Sequence, residues 1–186
     1  MTMKTLAVYC GASHGVNPIY TDAARGLAAA LVEHNIGLVY GGGKVGLMGV
    51  IADEVLRLGG EATGVIPKAL VEREVGHAGL TRLFVVKDMH ERKAMMAELS
   101  EGFIAMPGGM GTLEELFEML TWAQLGIHAK PIGLLNANGF WDGLVGFVQH
   151  QSAEGFVRPE HVGLMRVDAD PGALIRSLRA AAAPAA

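Results

Sequence analysis

The sequence has little cysteine, little charge and no long apolar run, and each shortage excludes a class of protein. Its single cysteine, Cys10, excludes an intramolecular disulfide framework and suits a reducing compartment. Charged residues make up 18% of the chain and apolar residues 51%, the reverse of the balance typical of disordered proteins. No apolar stretch has the roughly 20 residues needed to span a bilayer, and the first residues favour a strand over a signal peptide. We therefore expect a globular, cytoplasmic protein that does not bind membranes.

Positive charge is also scarce, which bears on the partner. Lysine and arginine number 15 against 19 acidic residues, a formal net charge of −4, and they form no marked cluster. A nucleic-acid polymer is therefore a poor candidate. A small anion remains a candidate, because backbone amides can bind it without net positive charge. The seven histidines have no metal-ligand spacing, so we predict no metal site.

Glycine, by contrast, is abundant, at 26 of 186 residues, and falls mainly between short apolar runs. Strands that are apolar on both faces and alternate with helices are typical of a parallel sheet covered on both sides. We predict an α/β fold with a Rossmann-like, doubly wound parallel sheet in a single domain over residues 1–180, followed by a disordered tail at 181–186. Ligands of such sheets lie beyond the carboxyl ends of the strands. The predicted strands are Leu6–Tyr9, Ile36–Tyr40, Ala62–Ile66, Leu83–Val86, Phe103–Met106, Ile132–Leu135 and Leu164–Val167.

Two of the predicted helices carry recognisable start signals. Asp88 with Glu91, and Thr112 with Glu115, each match the capping box, in which an N-cap side chain and a glutamate three residues later bond free amides of the first turn. Residues 68–79 are predicted to form a loop. The predicted helices are 17–35, Leu47–Leu58, Met89–Leu99, Thr112–Gln124, Phe140–Gln151 and one that begins at Pro171.

The first glycine motif, G-x-G-x-x-G at residues 41–46, follows a predicted strand and opens a helix, and so matches the dinucleotide fingerprint. That site needs an acidic residue near the end of the following strand to bind the ribose, and the strand that ends before Pro67 has none. The Walker pattern is missing, because Lys44 is followed by valine. NAD and ATP as phosphoryl donor are therefore disfavoured. Two interpretations stay open: a substrate contact through Gly42 and Gly43, or a tight turn only.

The second glycine motif, P-G-G-M-G-T-L-E-E at residues 107–115, is the stronger one. Glycines let the backbone approach an anion closely, and the free amides and positive dipole end of a helix that starts at Thr112 point at the same place. The phosphate of a nucleotide would fit there, with the Thr112 hydroxyl as a further donor. Glu115 has two interpretations, a functional carboxylate or only the third helical residue of a capping box.

Arg92 and Lys93 lie in the first turn of a predicted helix, where cations oppose the helix dipole. An anionic ligand would explain this pair of positive charges. The alternative is a solvated helix face with no further role.

Together these segments carry a resemblance to a known family. M-H-E-R-K at residues 89–93, followed by P-G-G-x-G-T-x-x-E, resembles the paired signatures of the LONELY GUY family, the cytokinin riboside 5′-monophosphate phosphoribohydrolases. The segments 9–11 and 40–49 are also similar, so the resemblance extends to about Gln124. It implies a Rossmann-like single domain that cleaves the N-glycosidic bond of a nucleoside 5′-monophosphate, with a site near a homodimer interface and no cofactor.

The resemblance also assigns residues by position. Arg92 and Glu115 match the catalytic pair of the family. Proteins of this kind are often labelled lysine decarboxylases, but no lysine in this sequence has a recognisable pyridoxal-phosphate context. Substrate contacts are expected from Glu74, Lys93, Gly108, Gly109, Met110, Gly111, Thr112, Leu113, Glu114, Thr121, Gly42 and Gly43.

We therefore predict a hydrolase that releases a free base and ribose 5-phosphate. Glu115 would stabilise positive charge on the ribose and activate water, Arg92 would orient the phosphate or ribose, and residues 108–112 would anchor the 5′-phosphate. The base stays open between adenine, in AMP, and N6-prenylated adenine. A carrier that binds a nucleotide-like ligand without cleaving it, like the molybdenum-cofactor carriers of the same superfamily, is the alternative, and it would not need the Arg92 and Glu115 pair. Cys10 is expected to be a buried thiol rather than a nucleophile.

Overall fold

The computed structural model describes residues 3–72 and 75–182 and contains seven strands and seven α-helices in those ranges. All seven predicted strands are present, within two residues of the predicted bounds. The strands are β1 Thr5–Tyr9, β2 Gly37–Tyr40, β3 Ala62–Pro67, β4 Arg82–Val86, β5 Phe103–Ala105, β6 Ile132–Leu135 and β7 Met165–Asp168. The helices are α1 Ile19–Glu33, α2 Gly46–Arg57, α3 Met89–Glu98, α4 Met110–Gln124, α5 Asp142–Ala153, α6 Pro159–Val162 and α7 Pro171–Ala182.

The strands form one parallel sheet in the order β4-β3-β2-β1-β5-β6-β7. The order runs outward from β1 in both directions, so that Ala7 on β1 aligns with Val39 on β2 and with Phe103 on β5. The direction of strand addition reverses between β1 and β5, and open α/β sheets bind ligands at such a switch point, beyond the carboxyl ends of the strands. The predicted α/β, doubly wound, Rossmann-like fold is confirmed.

Alternation along the strands divides the core into two layers. On β1, Leu6 and Val8 point to one face of the sheet, whereas Ala7 and Tyr9 point to the other. Helices α1, α2 and α7 cover the first face, and α3, α4 and α5 cover the second. The loops that follow β1 and β5 lie at the carboxyl edge of the sheet, between the two helical layers.

The main difference from the prediction concerns the start of α4. The helix begins at Met110, with Gly109 as its N-cap in an extended conformation, so Thr112 is its third residue. The predicted capping box of Thr112 with Glu115 is therefore wrong. Glycine at the N-cap leaves the start of the helix without a side-chain cap, and the helix extends back through the glycine motif.

The predicted cap at Asp88 is confirmed, although Glu91 bonds the amide that precedes the N-cap residue rather than that of Asp88 itself. Oδ1 of Asp88 accepts the N–H of Glu91 at 3.0 Å, and Oε2 of Glu91 accepts the N–H of Lys87 at 2.7 Å. These two bonds fix the start of α3, which carries the arginine–lysine pair.

Further differences lie at the edges of the fold. β4 was expected to be buried on both faces, but it is the edge strand, and Leu83, Phe84 and Val85 are exposed. The short helix α6 was not predicted. α7 continues to Ala182, past the expected domain end, and the rest of the predicted tail, 183–186, lies outside the described residues. None of the helices in the described ranges combines the length and hydropathy needed to span a bilayer.

Candidate functional site

A cavity of about 250 Å³ lies at the switch point of the sheet. The end of β1, the first turn and a half of α4, the first turn of α3 and the first glycine loop form its walls. This is the position at which open α/β sheets bind ligands, and it brings together several of the residues that the sequence singled out. The lining residues are Val8, Tyr9, Cys10, Ala12, Gly41, Met48, Leu70, Met89, Arg92, Gly109, Gly111, Thr112 and Glu115.

The start of α4 has features that are typical of anion sites. The first amides of a helix have no partner within the helix, and Gly109 supplies no side chain to cap them. Thr112 is buried, and within the described part of the chain its Oγ1 has no hydrogen-bond partner. Gly108 passes so close that a Cβ there would lie 2.1 Å from this oxygen. The free helix start and an unused hydroxyl therefore converge beside the cavity, as expected for a phosphate site.

The carboxylate of Glu115 faces the same cavity because of helix periodicity. Glu115 follows Thr112 by three residues and Gly111 by four, so the three lie on one face of α4. With the capping box absent, the structural interpretation of Glu115 as part of that cap no longer applies. Its place in the cavity wall instead favours the functional interpretation.

The guanidinium of Arg92 is buried, with 4% of the residue exposed. Its Nε donates to the carbonyl of Val65 at 3.1 Å, and its Nη2 donates to the carbonyl of Gly41 at 2.8 Å. These carbonyls lie near the ends of β3 and β2, so two strands orient the guanidinium in the cavity wall. The alternative of a solvated helix face is wrong for this residue, because burying an arginine without a purpose is costly.

The pKa of the Cys10 thiol reflects its burial and the charges of two side chains in the cavity wall. Burial raises its pKa far above the ordinary value, the negative charge of Glu115 raises it further, and the positive charge of Arg92 opposes the rise. The thiol therefore stays protonated and is a poor nucleophile, as the sequence predicted. Both charged side chains act on this one buried point at the end of β1.

Lys93 is not among the residues that line the cavity, and it joins α3 to α4. The residue is 4% exposed, and its Nζ donates to Oε1 of Glu114 and lies 3.1 Å from Oε2 of Glu118. Burial would lower the pKa of Lys93, but its bonds to Glu114 and Glu118 outweigh this and raise it. A lysine held charged in this way is a poor imine-forming group. Lys93 and Glu114 thus form a structural ion pair here, away from the cavity lining.

The first glycine loop is closed by backbone hydrogen bonds. The N–H of Lys44 donates to the carbonyl of Val75 at 2.9 Å, and the N–H of Leu47 donates to the carbonyl of Gly11 at 3.0 Å. Gly46 has a left-handed φ of +56°, and a Cβ there would lie 2.3 Å from the backbone of the loop after β1. Two amides that a dinucleotide phosphate would need are therefore occupied, which agrees with the argument against NAD.

Within this loop, Gly41 lines the cavity. Gly42 instead packs against Ile66 of β3, and Gly43 forms an antiparallel bridge with Gly76. Gly42 and Gly43 are thus held against β3 and residues 75–77 next to Gly41, and their role as substrate contacts stays a prediction.

The remaining predicted contacts are spread more widely. Met110 is exposed at the first residue of α4, and Leu113 packs against the core beneath the helix. Thr121 is exposed on α4, about 16 Å along the axis from the helix start, and is not part of the cavity wall. Glu74 lies outside the described residues.

Sequence reasoning missed the apolar wall of the cavity, which Met48, Leu70 and Met89 form. Met48 and Met89 belong to the segments 40–49 and 89–93 that carried the resemblance, and that was the available signal. Leu70 lies in a predicted loop, where no pattern marks it.

Two other cavities help to delimit the site. One of about 400 Å³ adjoins the first at Ala12 and Gly109, and its far wall contains Tyr20 and Phe140. The other, of about 730 Å³, lies at the amino ends of the strands, near Lys4. That end of an α/β sheet is not where ligands bind, and neither glycine motif reaches it.

Comparison with known proteins connects this geometry to a family. A family model described as "Possible lysine decarboxylase" matches residues 48–178. The chain is 51% identical over 156 residues to a cytokinin riboside 5′-monophosphate phosphoribohydrolase of Arabidopsis thaliana, covering 84% of this chain and 73% of the relative. The chain belongs to the cytokinin riboside 5′-monophosphate phosphoribohydrolase family. Another member, from Rhodococcoides fascians, is 48% identical over 159 residues, covering 85% of this chain and 80% of the relative.

Solved structures show how widely the fold of this phosphoribohydrolase family member is shared. The molybdenum cofactor carrier protein of Chlamydomonas reinhardtii superposes with a TM-score of 0.72 at 21% identity, covering 96% of this chain and 97% of that one. A molybdenum cofactor binding protein of Rippkaea orientalis gives 0.70 at 19% identity, covering 97% and 98%. At such identities the likeness establishes the fold alone.

Proposed function

We propose that this member of the family hydrolyses the N-glycosidic bond of a nucleoside 5′-monophosphate and releases a free base and ribose 5-phosphate. The observation that carries the proposal is that one cavity brings together the uncapped start of α4, the guanidinium of Arg92 and the carboxylate of Glu115. Relatives that are about half identical over most of the chain bear the name phosphoribohydrolase, which supports the same activity here.

The 5′-phosphate provides the anchor. Its oxygens accept hydrogen bonds from the free amides at the start of α4 and from the Thr112 hydroxyl. This hydroxyl has no other partner in the described chain. Binding energy from this group, which does not react, positions the ribose over Glu115. Met48, Leu70 and Met89 offer an apolar wall against which a purine can pack.

Glu115 carries the chemistry. As the glycosidic bond lengthens, positive charge develops on C1′ and the ring oxygen of the ribose, and the carboxylate stabilises it. A water molecule attacks C1′ and gives one proton to Glu115, while the electron pair of the glycosidic bond leaves with the base nitrogen, which takes up a proton from solvent. Glu115 then releases its proton to solvent, and the carboxylate is restored. Arg92, held by two strand-end carbonyls, orients the ribose phosphate during this step.

The finer assignments belong to the same proposal. AMP and N6-prenylated AMP are the substrates, and the enzyme works in the cytoplasm as a homodimer. The apolar side chains Leu83, Phe84 and Val85, exposed on the edge strand β4, support a second copy as partner. Light scattering of the purified protein tests the dimer.

A product assay tests the activity. Purified protein is incubated with AMP and, separately, with isopentenyladenosine monophosphate, and free base and ribose 5-phosphate are measured. Release from either establishes the hydrolase and ranks the substrates. Tight nucleotide binding without release from either would favour a carrier instead.

The anchor predicts a strong dependence on the phosphate. Adenosine should react at least about a hundredfold less efficiently than AMP, because it forgoes charge-assisted hydrogen bonds of about 1.5–3 kcal/mol each. The measurement is kcat/KM for both compounds under identical conditions. Equal turnover of adenosine and AMP would remove the phosphate from the mechanism.

Two neighbouring glycines should respond differently to the same substitution, one mainly in stability and the other mainly in AMP binding. In Gly108→Ala the new methyl group would lie 2.1 Å from Oγ1 of Thr112, and such overpacking costs about 1–3 kcal/mol, so the Tm should fall by several degrees. In Gly109→Ala the methyl group meets no atom within 4 Å, so the Tm should fall less, only by the cost of alanine as a poorer N-cap of α4. Its methyl group occupies space at the proposed anion site and should weaken AMP binding. Calorimetric unfolding and AMP titration measure the two effects; equal losses of Tm would contradict the assignment.

A further inference from the structure

A segment outside the proposed catalytic groups is bound to the first glycine loop. The N–H of His77 donates to the carbonyl of Gly42 at 3.0 Å, and the N–H of Lys44 donates to the carbonyl of Val75 at 2.9 Å. An isolated antiparallel bridge joins the two stretches between these bonds. Residues 75–77 therefore run as a short added strand along the loop that leads from β2 into α2.

The side chain of His77 ties this added strand to α2. The ring is buried, and its Nδ1 accepts the N–H of Gly79 at 3.1 Å, so the ring proton lies on Nε2. Nε2 donates to Oδ1 of Asp53 at 2.8 Å. The side chain of Asp53 on α2 is 56% exposed, whereas that of His77 is 4% exposed. The pair thus links residues 75–77 to helix α2, which covers one face of the sheet.

The loop held in this way also holds Arg92. The carbonyl that accepts Nη2 of Arg92, at 2.8 Å, belongs to Gly41, and the next carbonyl, that of Gly42, accepts the N–H of His77. A shift of the loop would therefore move the group that orients the guanidinium. Leu70, at the start of the same connection, lines the cavity, so its apolar wall would move as well.

We propose that Asp53 and His77 are positioning residues that act on the cavity through the glycine loop and Arg92. The proposal rests on the proposed function of this cavity. Neither side chain touches the substrate. Their effect on turnover arises because a displacement of about 1 Å at a reacting centre costs up to about a hundredfold in rate.

Substitutions on α2 test the proposal with a matched control. Asp53→Ala should lower kcat/KM for AMP about tenfold, because the loop loses its link to the helix. Asp53→Asn should restore most of the activity, because its amide oxygen accepts the same N–H from His77. Glu54→Ala removes the neighbouring carboxylate, which pairs with the exposed Arg57 and does not contact His77, and should leave kcat/KM unchanged.

A double-mutant cycle separates positioning from general stability. In an Arg92→Lys background, Asp53→Ala should add little further loss, because it acts through the same guanidinium. His77→Gln should follow Asp53→Ala. Losses of equal factor in both backgrounds, or an unchanged kcat/KM in Asp53→Ala, would overturn the proposal.

The affinity for AMP, measured by calorimetry on every variant, keeps this test apart from that of the function. If the wild-type protein binds AMP but releases no base, the proposed function fails. The same cycle, run on the affinity, then decides the positioning role: loss of affinity in Asp53→Ala, rescue by Asp53→Asn and non-additivity with Arg92→Lys support it, and unchanged affinity overturns it.

Discussion

Replacing Glu115 with glutamine should lower the rate of base release by at least about a hundredfold, the usual effect of removing a general base. Glutamine keeps the size and shape of the side chain but can neither take a proton from water nor stabilise a positive ribose by its charge. Glu115 is on the cavity-facing side of α4, outside the apolar contacts of that helix, so the fold should tolerate the change. Single-turnover measurement of adenine release from AMP gives the rate directly.

The control for this substitution is Glu98→Gln. It makes the same chemical change at an exposed position near the end of α3, outside the cavity, and should leave the rate unchanged. AMP should still bind to Glu115→Gln, because the phosphate anchor is intact. A near-wild-type rate in Glu115→Gln would remove the carboxylate from the chemistry.

Replacing Arg92 with alanine should weaken both binding and turnover, with kcat/KM falling about 10- to 100-fold, the equivalent of one charge-assisted hydrogen bond. The loss has two sources. The positive charge next to the ribose phosphate disappears, and the carbonyls of Gly41 and Val65 lose a buried donor. Arg92→Lys should recover only part of the activity, because an ammonium group cannot reach both carbonyls in the planar geometry of a guanidinium.

Steady-state kinetics and AMP titration on both Arg92 variants measure these effects. Arg25→Lys, at an exposed arginine of α1, provides the control for a change of cation without a change of site. If Arg92→Lys matches the wild-type protein in kcat and in KM, geometry at this position does not matter and the charge alone does.

The sequence predicted the sheet well because each strand carries its own evidence. A short apolar run bounded by glycine or proline indicates a strand without reference to the rest of the chain, and all seven predicted strands are present. β4 shows the limit of this reasoning. Its run Leu83–Val86 has the composition of a buried strand, but its place at the sheet edge follows from the order of the other strands, which no local pattern encodes.

The candidate site was predictable where a motif carried it. Arg92 and several residues of the motif at 107–115 lie in the wall of the cavity, whereas Lys93 does not, and the predicted helix start was wrong. A Thr-x-x-Glu spacing also occurs by chance inside a helix, and a glycine N-cap leaves no sequence pattern of its own. The Asp88 box succeeded because no glycine precedes it to start the helix earlier.

Residues that act through tertiary contacts were beyond sequence reasoning. Asp53 and His77 are 24 positions apart and meet only because residues 75–77 add to the glycine loop. The carbonyl of Gly41 accepts a hydrogen bond from Arg92, which lies 51 residues later in the chain. Pairings over such separations depend on the assembled fold, and a single sequence contains no periodicity that reveals them.

The position of β1 in the sheet has a consequence for how the protein folds. β1 is the first strand of the chain but lies in the middle of the sheet, and its neighbour β5 follows it by about a hundred residues. Closing so long a stretch of chain is slow, and on the ribosome one side of β1 stays uncovered until β5 has emerged. Because the cavity lies where these two strands end, it forms only when that pairing is complete. A nucleotide bound at this cavity, as we propose, would therefore stabilise the finished protein but would not guide the early steps of its folding.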